Sequence, residues 1–119
     1  MRKSLKTYGF SEQIVNAVKL IIEKIERNQI NEAEQEIARL SLEICERIKN
    51  KNFSPKEADS YFTLIDLYLT DNYKDLKLDK RIEDIIFEGM LLHDYGKDYG
   101  ANLETIIMLA KGILNKKSK

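Results

Sequence analysis

Apolar residues recur every three to four positions in five successive segments of this chain, and polar stretches separate the segments. This spacing puts apolar side chains on one face of an α-helix, whereas a half-buried strand needs strict alternation. No segment alternates in that way, so the pattern predicts an all-α, antiparallel bundle of about five helices. We expect the helices to cover residues 11–28, 31–49, 55–70, 79–95 and 102–114.

Two polar sequences indicate where helices begin. Ser54 is followed by Pro55 and Glu57, a combination of N-cap, first-turn proline and returning acidic side chain that starts many helices. Asn31 and Glu34 have the spacing of a capping box, in which the Glu34 carboxylate binds the backbone N–H of Asn31. The sequence therefore predicts helix starts at both places.

The helix predicted over residues 79–95 is apolar around most of its circumference, so we expect it to lie at the centre of the bundle. A helical wheel puts Arg81, Asp84 and Glu88 on the one line that is expected to face solvent. His93, the only histidine, lies on the opposite face, one turn above Gly89.

The chain length of 119 residues suits one domain, and we expect a single helical domain over residues 1–119 with frayed basic ends at 1–10 and 115–119. The single cysteine, Cys45, cannot form an intramolecular disulfide and suits a buried thiol in a reducing compartment. No apolar run approaches the roughly 20 residues of a membrane span. These features predict a cytoplasmic protein, and the abundance of Lys, Glu and Ile is typical of a heat-adapted source.

The distribution of charge and of apolar residues bears on partners. Twenty basic residues balance twenty acidic ones, so no net field favours nucleic acid, which is an unlikely partner. Leu42, Met108 and Leu109 fall outside the main apolar stripes and are expected to be exposed on a monomer. Exposed apolar surface of this kind favours self-association.

The segment at residues 91–97 reads LLHDYGK and resembles the LLHDxGK signature of the HD superfamily of metal-dependent phosphohydrolases. In that family the His-Asp doublet at a helix end binds a divalent metal, which activates water for attack on a phosphate ester. The resemblance implies that His93 and Asp94 are metal ligands and that Lys97 contacts phosphate. These three residues are the candidate catalytic and metal-binding residues of the chain.

The family also takes a second histidine from an earlier helix and an aspartate from a later one. This chain has no second histidine, and Glu104 is the only carboxylate side chain in the last predicted helix. Substitute ligands would have to come from the first two helices, where the candidates are Glu23, Glu26, Glu43 and Glu46. The same glutamates resemble the ExxE pairs with which all-α nucleotide pyrophosphohydrolases of the MazG type hold Mg²⁺, although a helical wheel favours a solvated face for Glu23 and Glu26.

Two interpretations of His93 are open from the residues alone. An isolated histidine on an apolar face is commonly a buried imidazole that is hydrogen-bonded to a neighbour. Alternatively, the missing side chain of Gly89 opens a small cavity in which His93 is the polar group. No glycine-rich phosphate loop or zinc-ligand spacing occurs, so no cofactor is expected except the divalent metal of the enzyme alternative.

These features favour a non-enzymatic helical bundle that acts as a homo-oligomeric interaction or assembly module. The alternative is a degenerate or divergent HD-type phosphohydrolase that uses residues 91–97, and a MazG-like pyrophosphohydrolase is a lesser alternative. The module and the enzyme differ in what they bind, since only the enzyme needs a metal ion.

The HD-type alternative makes a direct prediction about bound metal. Protein purified after growth with added Mn²⁺, Ni²⁺ and Fe would carry one of these ions, because His93 and Asp94 would supply its ligands. His93→Ala should then lose the ion, as measured by elemental analysis of both proteins. Absence of bound metal from the unaltered protein would rule this alternative out.

Overall fold

The computed structural model describes residues 4–92 and 99–117, and these residues form five α-helices without any strand. The all-α prediction is therefore confirmed. A short 3-10 helix at Leu5–Tyr8 comes before the five, which are α1 (Glu12–Glu26), α2 (Ile30–Lys49), α3 (Pro55–Asn72), α4 (Lys80–Met90) and α5 (Gly100–Lys117).

The five helices share one apolar core. α2 contacts each of the other four helices, while α4 packs on α3 and α5 and also touches α2. Every helix contributes side chains that are almost completely buried, and examples in chain order are Ile21, Ile37, Phe62, Ile85 and Ile106. Burial of a large apolar side chain stabilises a fold by about 1.5–3 kcal/mol, so this shared core is the main source of stability.

Helix ends are defined by local hydrogen bonds. The predicted start of α3 is confirmed, because the Ser54 hydroxyl accepts a 3.1 Å hydrogen bond from the backbone N–H of Glu57. α1 ends where Asn28 takes a left-handed conformation with φ 60°, and Lys51 does the same after α2 with φ 61°. A left-handed residue after the last turn lets the following N–H groups bind free helix carbonyls.

The predicted capping box at Asn31 is wrong. α2 begins at Ile30, and its N-cap residue, Gln29, makes no side-chain capping bond. Glu34 is buried, and its Oε2 accepts a 2.7 Å hydrogen bond from the backbone N–H of Asp79, the N-cap of α4. Glu34 thus satisfies the N-terminus of a helix, but that helix is α4 and not α2, to which Glu34 belongs.

The polar line of α4 that was predicted to face solvent lies against α5 instead. The Arg81 guanidinium binds the Asp79 carboxylate with Nε···Oδ1 and Nη2···Oδ2 distances of 3.1 and 2.9 Å, and it extends over Gly112 of α5. At the other end of α4, Glu88 accepts a hydrogen bond of 2.5 Å from the buried Asn102 amide. Polar groups that are paired with each other can be half-buried at a low cost in free energy. A helical wheel that assigns every polar residue to solvent does not take such pairs into account.

The boundaries of the bundle differ from the prediction at several places. Residues 1–10 were expected to fray, but Leu5 and Tyr8 pack on the core, and the Tyr8 hydroxyl donates a 2.7 Å hydrogen bond to Asp71 on α3. α4 ends at Met90, earlier than the predicted residue 95, and residues 93–98 lie outside the described part of the chain. α5 continues to Lys117, beyond the predicted 114.

Gly89 is the point of closest approach between α3 and α4. A Cβ atom built on Gly89 would overlap the ring of Phe62, which is fully buried. The space at Gly89, which one of the two interpretations made a small cavity, is therefore filled by an aromatic ring. This contact requires glycine at position 89 because any side chain would displace the ring.

Gly89→Ala should lower the free energy of unfolding by about 1–3 kcal/mol, the usual cost of inserting a group into a packed core. Gly100→Ala is the matched control, because a Cβ there meets no atom within 4 Å. Alanine is the better helix former by up to about 1 kcal/mol, so the control should be neutral or slightly stabilising. Urea unfolding followed by circular dichroism measures both, and equal stability of the two variants would contradict the packing assignment.

Candidate binding groove between α3 and α4

A groove of about 430 Å³ lies between the second half of α3, the loop that follows it and one face of α4. α3 and its C-cap contribute Asp66, Leu69, Thr70 and Tyr73, which share the i, i+3, i+4, i+7 spacing of one helix face. α4 contributes a second stripe with the same spacing, formed by Glu83, Ile86, Phe87 and Met90. Two such stripes that run side by side make a surface on which a further helix can pack.

The loop between the two helices closes one end of the groove. Leu76 and Leu78 line this end together with Lys74, and both leucines are half-buried against the core. The apolar residues of the loop extend the lining beyond the helices, and the lining as a whole combines apolar side chains with the charged groups Asp66, Lys74 and Glu83.

Phe87 lies in the groove lining and is the main departure from the predicted burial of α4. Its exposed fraction is 56%, although the sequence predicted an apolar helix with most faces covered. Leu42 and Leu109, which were expected to be exposed, pack against the core, whereas Met108 is exposed as predicted. Phe87 is one of the large apolar side chains identified as exposed, and it lines this groove.

Charged groups lie along the groove without ion-pair partners in the described residues. Asp66 is half-buried, and burial raises the pKa of its carboxyl because desolvation disfavours the charged form. Lys74 and Glu83 are exposed groups on the same lining. A carboxylate that has lost water and has no cation among the described residues can gain one from a bound partner.

The described part of the structure does not include the predicted metal-binding and catalytic residues. His93, Asp94 and Lys97 lie outside it, so their roles stay predictions from the sequence. Within residues 4–92 and 99–117, no three His, Cys, Asp or Glu side chains lie close enough to share a metal ion. The glutamate set that was considered for Mg²⁺, Glu23, Glu26, Glu43 and Glu46, is therefore not assembled into a site.

Cys45 is buried on α2, as predicted, with its Sγ 4.0 Å from the carbonyl oxygen of Leu103 on α5. Burial raises the pKa of the thiol to about 12, so it is neutral at physiological pH. A neutral, enclosed thiol is a poor nucleophile. Cys45 is therefore a packing residue between α2 and α5.

Comparison of the chain with protein-family models, curated proteins and solved structures finds no match. Among the described residues, no helix has both the length and the apolar character that crossing a bilayer requires. The candidate site is consequently defined by its own geometry alone.

Sequence reasoning missed the groove, although signals for it were present. Glu83, Ile86, Phe87 and Met90 have helical spacing, but the three apolar residues among them were interpreted as part of one wide buried surface. Which of those faces is left open depends on the neighbouring helices, and α5 covers the side that carries Arg81. The groove therefore follows from the arrangement of helices and cannot be identified from one helix.

The raised pKa of Asp66 predicts how pH affects stability. The folded protein holds this proton more tightly than the unfolded chain, so the Asp66 contribution to stability falls as pH rises through the carboxyl range. Asp66→Asn should therefore raise Tm at neutral pH, and the gain should disappear as pH falls below the ordinary aspartate pKa of 3.8.

Thermal unfolding in dilute protein tests this prediction without a contribution from association between copies. Glu43→Gln serves as the control, because Glu43 is an exposed carboxylate on α2 away from the groove. A Tm for Asp66→Asn at or below that of the parent at neutral pH would contradict the desolvation argument.

Proposed function

We propose that this protein is a small helical interaction module that associates with itself through the groove between α3 and α4, without chemistry of its own. The observation that carries the proposal is the position of Phe87, which is half-exposed in the lining of a groove that contains further apolar side chains. A surface with an aromatic side chain next to an apolar depression has both parts of a contact between copies.

Energetics support a protein partner for this surface. Phe87 is already partly covered, so burying its exposed 56% would contribute about 1–2 kcal/mol, a part of the value for a fully exposed side chain. Aromatic residues are enriched at the buried centre of protein interfaces, where a few side chains carry most of the binding energy. Phe87 fits this role, since it shares the groove lining with other apolar side chains.

The HD-type hydrolase is the competing proposal, and it depends on His93 and Asp94. Bound metal or phosphatase activity would favour it, whereas association that depends on Phe87 favours the module. The groove volume also lies within the roughly 300–1,000 Å³ of small-molecule sites, so a small ligand is an outcome that the association experiment can reveal.

Replacing Phe87 by glutamate should weaken self-association at least about tenfold, because a charge would replace the apolar anchor. Leu20→Glu is the matched control, because Leu20 has an exposed fraction of 57%, almost that of Phe87, and lies on α1 outside the groove. Sedimentation velocity across a range of micromolar concentrations measures both variants and the parent.

The parent should show a dimer or larger oligomer in equilibrium with monomer, and Leu20→Glu should behave like the parent. A strictly monomeric parent over this range would contradict the proposed function. Equal weakening by both variants would show that association is a general apolar effect and would remove the groove from the proposal.

A further inference from the structure

The groove has two chemically different ends. α3 and α4 are antiparallel, because Phe62 in the first half of α3 contacts Gly89 near the end of α4 while a short loop joins their other ends. Asp66 lies one turn from Phe62, so it is placed toward the same end of the groove as Phe87 and Met90. We call this the acidic end.

The opposite end is formed by the loop after α3. Tyr73, Lys74, Leu76 and Leu78 line it, and we call it the loop end. Asp66 lies on α3, which ends at Asn72, whereas Lys74 lies in the loop beyond it, so the two charged groups lie toward opposite ends of the groove. One end therefore carries an exposed aromatic side chain and a carboxylate, while the other carries two half-buried leucines and an ammonium group.

If the grooves of two copies face each other in opposite directions, the acidic end of each lies against the loop end of the other. The charges of these two ends are opposite. We infer that a second copy of the chain lies across the groove in the opposite direction, related by a two-fold axis. Phe87 of each copy then enters the loop end of the other copy, and Asp66 of each copy forms an ion pair with Lys74 of the other. The inference rests on the proposed self-association and specifies its geometry.

A two-fold arrangement explains why both halves of the contact occur on one surface. In an interface of this symmetry the same patch serves both copies, so it must contain both the group that inserts and the pocket that receives it. It also gives the desolvated Asp66 carboxylate a cation, which the described residues of its own chain do not supply. The groove is thus incomplete until the second copy supplies Phe87 and Lys74.

Glu83 provides an independent consequence of the same axis. It lies in the first turn of α4, between the loop end and Phe87, so a two-fold axis through the middle of the groove brings the two Glu83 side chains toward each other. Like charges at short range oppose association. Glu83→Gln should accordingly tighten the dimer, whereas Phe87→Glu weakens it.

Mixing two charge-reversed variants tests the proposed pairs directly. Asp66→Lys alone would place two lysines together at each contact, and Lys74→Asp alone would place two aspartates together, so each should weaken the dimer at least about tenfold. In an equimolar mixture of the two variants, a mixed dimer regains an opposite-charge pair at both contacts. Sedimentation velocity should show the dimer restored in the mixture.

The control pair is Glu43→Lys with Lys111→Asp, two exposed positions outside the groove that change net charge by the same amounts. These variants should dimerise like the parent, alone and when mixed, which excludes general attraction between oppositely charged proteins. Circular dichroism of every variant shows that loss of association is not loss of the fold.

The outcomes separate this geometry from the proposed function. If the parent dimerises but the two groove variants do not regain association when mixed, the two-fold geometry is wrong and self-association stands. Weaker association of Glu83→Gln would also contradict the axis. A parent that never associates contradicts the proposed function itself.

Discussion

The contact between Phe62 and Gly89 sets the distance between α3 and α4, and the groove depends on that distance. A glycine inside a helix costs about 0.5–1 kcal/mol relative to alanine. Here burial of the whole Phe62 ring against the bare backbone offsets that cost. The inner sides of the two helices are thus held together by the core. Their outer sides diverge enough to leave the groove, with Asp66 one turn beyond Phe62 and Met90 next to Gly89.

A second constraint acts at the beginning of α4, where three helices are joined by polar groups. Glu34 of α2 binds the backbone N–H of Asp79, Asp79 binds Arg81, and Arg81 extends over Gly112 of α5. Because the Glu34 carboxylate is buried, its hydrogen bond to a free helix N–H avoids a desolvation cost. This cluster orients the first turn of α4. It therefore determines that Glu83 and the stripe that follows it face the groove while Arg81 faces α5.

Much of the fold could be predicted from the sequence, because helix formation leaves a local signal. Apolar spacing identified five helices, and the start of α3 was predicted at Ser54 because all its capping groups lie within four residues. Prediction failed where a side chain bonds to a distant residue. Glu34 has the spacing of a local cap, but its partner, Asp79, is 45 residues away. Similarly, Arg81 was assigned to solvent because nothing nearby in sequence indicates that α5 presents a glycine to it.

The candidate site was less predictable, because exposure is decided by which helix covers which face. Phe87 was expected to be buried, since the periodicity of α4 does not distinguish apolar residues that a neighbouring helix covers from those that stay exposed. The groove contains a charged group that the described structure does not pair. Where the fold buries polar groups it pairs some of them, as it pairs Glu88 with Asn102, but the buried amide oxygen of Gln35 has no hydrogen-bond partner among the described residues, and Asp66 is half-buried along the groove without a cation there. The half-buried carboxylate and the exposed aromatic residue lie along the same groove, and this coincidence is the reason to propose that a second molecule covers it.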